Sequence, residues 1–161
     1  MVSRSLLPAL AAGIITTTAV TSAADPGGFE LVSAREYQSE LSLRSGAPGA
    51  SLMLRAADFD APTITVVKPD HAAPIEPPVD IDVRFQAAQG ANVNAASLKI
   101  SYGFLHLDIT QRILQAPGVR VSGSGLQAGG ARLPSGSHKL VIEVADNVGR
   151  TGRQKLEFTV R

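Results

Sequence analysis

Three histidines, His71, His106 and His138, are the residues best suited to bind a metal or move a proton. None falls at a ligand spacing such as His-x-Glu-x-x-His, and a chain with no cysteine cannot complete a mixed site with thiolate. His138 follows a glycine turn at the start of an apolar alternation, which predicts a ring packed at a strand corner and bonded to nearby backbone. His71 lies among Pro and Ala and reads as solvated, while His106 reads as flanking the edge of the core. Asp80 and Asp82 offer paired carboxylates, yet two-residue spacing places them on one strand face about 7 Å apart, a solvated row. Asp58, Asp60, Asp146 and Asn147 supply the hard oxygens that calcium needs, but a linker and a strand turn use the same residues without any ion.

Nucleophile and phosphate motifs are also missing. Gly123-Ser124-Gly125 lacks the Gly-x-Ser-x-Gly frame and the strand-turn-helix setting that exposes a catalytic serine. Gly129-Gly130 has no following helix to receive a phosphate, so these glycines read as a strand connection. No catalytic, cofactor-binding or metal residue is therefore assigned, no cofactor is expected, and the chain is not expected to be an enzyme.

The elements that position these residues follow from composition and periodicity. A chain of 161 residues suits one domain of ordinary size, and 44% hydrophobic residues can fill its core. Gly 15 and Pro 10, with aromatics at 4% and no Trp, favour short strands joined by turns. Without residues 1–24 the basic and acidic side chains balance, because only Arg4 is lost. That balance argues against a nucleic-acid partner, whose affinity would rest on phosphate neutralisation. The absence of Cys also excludes disulfides and a lipid-modified cysteine.

Residues 1–24 have the order of a secretory signal peptide. A short basic start is followed by the apolar run Leu6–Val20 and the small residues Thr21-Ser22-Ala23-Ala24. A retained anchor is the competing reading, but the run contains Pro8 and falls short of the roughly 20 residues a span requires. Residues 25–60 form an extension. Within it Ser33-Ala34-Arg35-Glu36 fits a capping box opening a short helix, with Glu40 and Arg44 spaced to pair. The segment 29–57 packs on the domain or serves as a stalk, and packing is the reading preferred.

From residue 61 to 161 the period becomes two. Val79, Ile81, Val83 and Phe85 share one face, and Leu140/Ile142/Val144 and Leu156/Phe158/Val160 repeat the pattern. Thr63–Val67, Leu98–Tyr102, Val119–Val121 and Leu126–Leu133 supply further strands, and Asp108–Arg112 reads as a helical turn crossing between sheets. The fold class is thus all-β: an antiparallel sandwich of about seven strands, preceded by the signal peptide and a partly helical extension.

Leu133-Pro134-Ser135-Gly136-Ser137-His138-Lys139-Leu140, continuing to Asp146-Asn147-Val148-Gly149, resembles the last hairpin of bacterial immunoglobulin-like modules. Ala61–Val67 resembles their opening strand, so the likeness covers residues 61–161. It implies an immunoglobulin-like sandwich but no particular function, since such modules serve as spacers, adhesins and accessory domains. The sandwich pattern with no convergent reactive groups points to a non-catalytic interaction or structural module of the cell envelope. A periplasmic or secreted location, an unidentified protein partner and no membrane span after signal cleavage go with that reading. The alternative is a small-ligand or carbohydrate-binding module, with calcium as an added stabiliser. Tyr37 and Tyr102 would be its only tyrosine platforms.

Overall fold

The structure is a computed structural model that describes residues 28–45, 60–70 and 73–161. The signal-peptide reading, Asp58, and His71 lie outside these residues.

Two sheets face each other. The first has the order β1 (Phe29–Glu30), β7 (Gly125–Arg132), β3 (Val79–Gln86), β2 (Thr63–Lys68), with β6 (Arg120–Ser122) also pairing with β7. The second runs β5 (Leu107–Asp108), β4 (Val93–Tyr102), β8 (Gly136–Asp146), β9 (Thr151–Val160). The seven strands expected from the alternation are all present, joined by the two-residue pairings β1 and β5. Among the described strands every pairing is antiparallel except that of β1 with β7, which places Phe29 beside Ala131, and an isolated parallel bridge joins Ile75 to Val160.

Two-residue alternation turns one set of side chains inward, and register brings these sets together. Val83 pairs with Leu126 in the first sheet, and Ile100 with Ile142 and Leu140 with Leu156 in the second. Val79, Val83, Leu126, Ile100, Leu140, Ile142 and Val144 are fully enclosed between the layers. Each such burial contributes about 1.5–3 kcal/mol, which lets aliphatic residues hold a sandwich that has no tryptophan. The apolar stripe of each strand therefore fixes its register, since a one-residue slip would turn it outward.

The helix α1 (Ala34–Arg44) begins at the predicted box. The Glu36 amide donates to Ser33 Oγ at 3.2 Å, and the Ser33 amide donates to Glu36 Oε2 at 2.8 Å. An 11-residue helix is marginal alone and requires a surface to dock on. Leu31 and Val32, just before it, are buried in the sandwich core, and the Leu31 amide donates to Arg132 O at 2.9 Å. Tyr37 and Glu40 are the buried residues of the helix. The segment 29–44 therefore lies against the sandwich and adds a strand to it.

A second short helix, α2 (Thr110–Leu114), occupies the region read as a helical turn, and the Thr110 amide donates to Asp108 Oδ1 at 2.9 Å. Thr110 Oγ1 accepts from the Ile100 amide at 2.8 Å, which fixes α2 against β4.

Candidate functional site

The alternation that opens β8 turns His138 inward, where it is 2% exposed. Its Nε2 lies 2.8 Å from Pro134 O, and its Nδ1 lies 2.8 Å from the Tyr102 hydroxyl. A carbonyl oxygen only accepts, so Nε2 carries the proton and Nδ1 accepts from Tyr102. The ring packs on Tyr37, Tyr102 and Phe158 at centroid distances of 5.0, 5.9 and 5.7 Å. Burial pushes the His138 pKa below the usual imidazole value, with the Pro134 carbonyl opposing, and burial pushes the Tyr102 hydroxyl upward. Both ring nitrogens are engaged, leaving no lone pair for a substrate or metal. His106 departs from expectation: it sits exposed in the β4–β5 turn at φ 51, not at the core edge.

The acidic candidates separate in the same way. Asp146 is enclosed, and its carboxylate accepts from the amides of Val148 (3.1 Å) and Arg150 (2.9 Å) and from Arg150 Nε (2.7 Å). Burial would raise its pKa, but these donors from Arg150 and Val148 prevail and hold it below the usual carboxylate value. Asp146 thus ties the β8–β9 turn, and its oxygens are occupied. Asn147 ties the same turn to the loop before β4, its Oδ1 accepting from the Asn92 amide at 2.9 Å. Asp80 faces solvent 3.5 Å from Lys68 Nζ, and Asp82 lies 3.5 Å from Gln127 Nε2. Among the described residues no three His, Asp or Glu side chains gather in a way that could hold a metal ion.

A different place in the molecule combines accessible apolar surface with a buried charge. Between β4 and β5 the chain turns through Gly103, Phe104, Leu105 and His106. Phe104, Leu105 and Leu107 are 39%, 56% and 38% exposed. Beside them α1 and this hairpin enclose a groove of about 290 Å³, lined by Arg35, Glu36, Ser39, Glu40, Tyr102, Leu105 and Leu107. Among these lining residues Glu40, only 6% exposed, accepts a hydrogen bond from the Phe104 amide. Gly103 makes this possible: at φ +70 it lies against the carboxylate, and a Cβ there would come within 2.6 Å of Glu40 Oε2.

The i,i+4 pairing expected of Glu40 with Arg44 does not form. Glu40 turns inward to the hairpin, while Arg44 lines a separate groove of about 430 Å³ with Lys139, Ser137, His138 and Glu157. Surface spacing permits that pair, but a buried backbone donor competes more strongly for the carboxylate than an exposed guanidinium does. Sequence reasoning also passed over Phe104-Leu105. The signal was there: two adjacent large apolar residues directly after a turn glycine have no alternating partner to bury them.

The sequence matches no protein-family model and no curated protein. Among solved structures, the chain is similar to CopC from Methylosinus trichosporium OB3b, at 22% identity and a TM-score of 0.38. The match covers 61% of this chain and 93% of that one. A likeness of this degree carries no information about ligand or activity.

Proposed function

We propose that this chain is a non-catalytic, exported, immunoglobulin-like binding module that engages a protein of the cell envelope through the β4–β5 hairpin and the adjoining face of α1. The observation that carries this reading is the joint exposure of Phe104, Leu105 and Leu107 beside a groove. Large apolar side chains grouped at the surface mark interaction sites, whereas a single exposed one does not. The buried ionisable groups His138, Asp146 and Tyr102 have their hydrogen-bonding atoms engaged by neighbouring groups, which supports binding over catalysis.

Strand order supports the immunoglobulin-like reading. The run β2-β3-β7-β6 opposite β4-β8-β9 has the arrangement of A-B-E-D against C-F-G. The bond from His138 back to Pro134 O holds the corner before β8 as a tyrosine hydroxyl does in many such domains. The signal-like residues 1–24 support export. The carbohydrate alternative loses its platforms, since Tyr37 and Tyr102 are both buried in the His138 cluster.

The test is site-specific photo-crosslinking in the producing cell. Benzoylphenylalanine at Leu105 should give one discrete protein adduct, and the same group at Val148, exposed but isolated at 64%, should give none. Equal labelling from the two positions, or none from either, would overturn the proposal.

A further inference from the structure

We infer that the groove between α1 and the β4–β5 hairpin takes a lysine or arginine side chain of the partner protein, with its cation on Glu40 and its alkyl stem along Leu105 and Leu107. The inference rests on the binding role just proposed and specifies the chemistry of the partner.

Glu40 is the reason. A carboxylate removed from water is costly unless it is paired. This one is nearly enclosed, accepts one backbone hydrogen bond, and has no cation within ion-pair distance among the described residues. The capping carboxylate Glu36 differs, because Arg112 already holds both of its oxygens. Glu40 lines the groove, and among the described residues its carboxylate takes one hydrogen bond, at Oε1. The groove thus presents a carboxylate acceptor beside the apolar side chains of Leu105 and Leu107. A long cationic side chain has the complementary form, since its stem is apolar and its head carries the donors.

Arg35 is the one cation of α1 lining this groove, and it stands at the exposed rim without reaching Glu40. It repels an incoming cation and should weaken the site modestly. Arg44 lines the other groove.

The experiment uses the full chain, labelled with nitrogen-15 and titrated with two capped pentapeptides. One is acetyl-Ala-Leu-Lys-Leu-Ala-amide, and in the other norleucine replaces the lysine. The lysine peptide should shift the Phe104 amide and bind about tenfold more tightly than its uncharged twin, the ratio a charge-assisted hydrogen bond provides. Glu40→Gln should bring the ratio to about one, and Arg35→Gln should raise lysine-peptide affinity about twofold. Should Glu40→Gln release the helix, Ser39→Lys at the exposed rim provides the second variant, since its tethered ammonium fills the site and abolishes the preference. Equal binding of the two peptides, binding of neither, or a preference that survives both variants overturns the inference. A Leu105 adduct that persists without any lysine preference leaves the binding role intact and removes only this account of the partner. Loss of the adduct removes the binding role itself.

Discussion

Arg112 of α2 donates to both carboxylate oxygens of Glu36 in α1, at 2.9 and 2.8 Å, although 76 residues separate them. The same guanidinium donates to Leu31 O at 2.8 Å, so one side chain fastens the start of the first helix to the second. Glu36 also completes the capping box, so cap and clasp meet in one carboxylate.

That arrangement gives a signed pH dependence. The Arg112 hydrogen bonds, helped by those from Ser33 and opposed by burial, lower the Glu36 pKa from 4.5 to about 2. A lowered carboxylate pKa contributes stability above the unfolded value, lost as pH falls from 4.5 toward 2. With solvent screening of a partly exposed pair, the contribution is about 1–2 kcal/mol. Urea denaturation across this range should show the loss in the native chain, and Arg112→Met should flatten much of that slope. An unchanged slope in the variant would contradict the clasp.

His138 should act in the window above. Burial lowers its pKa, so the unfolded chain binds the proton more readily, and stability is full above 6.5 and declines as pH falls below it. His138→Phe keeps the ring but strands the Tyr102 hydroxyl, at a cost of about 1–3 kcal/mol. It should also remove the decline below pH 6.5. Thermal melts at about pH 5 and pH 7.5 on both proteins check this. A variant that keeps the same pH difference would assign it to another group.

Gly103→Ala and Gly90→Ala should separate backbone strain from steric conflict. Both glycines have positive φ, +70 and +77, so each substitution incurs the left-handed penalty of about 1 kcal/mol. Gly90 has open space, whereas a Cβ at Gly103 meets the Glu40 carboxylate at 2.6 Å. Gly103→Ala should therefore cost about 1–3 kcal/mol more than Gly90→Ala. Equal denaturation midpoints for the two would mean that Glu40 can move aside freely.

Leu105→Glu should leave folding stability within about 0.5 kcal/mol, because the residue is 56% exposed and belongs to no core layer. The photo-adduct formed from a probe at the neighbouring Phe104 should disappear in this variant. A large fall in melting temperature would show instead that the hairpin is structural.

The strands, the capped helix and the β8 corner were legible because each depends on local periodicity or local hydrogen bonding. Val79–Phe85 alternates without a break, and Ser33 with Glu36 closes a box within one turn. The groove was not legible, since it depends on which partner Glu40 chooses. Its spacing suggested Arg44, while the actual donor, the Phe104 amide, lies 64 residues away. Likewise Arg112 gave no local sign of joining Glu36. Asp146 was recognised as a turn residue, but enclosure by Val148 and Arg150 appears only when the hairpin closes.

The parallel pairing of Phe29 with Ala131 imposes an order of events on folding. About a hundred residues separate the Phe29 segment from the strand it must join, so the apolar Leu31 and Val32 stay uncovered until that long loop closes. Pulse-labelled hydrogen exchange during refolding should accordingly find the Leu31 amide protected only after those of β3 and β4. The strand with the longest reach to its partner is the one that settles last.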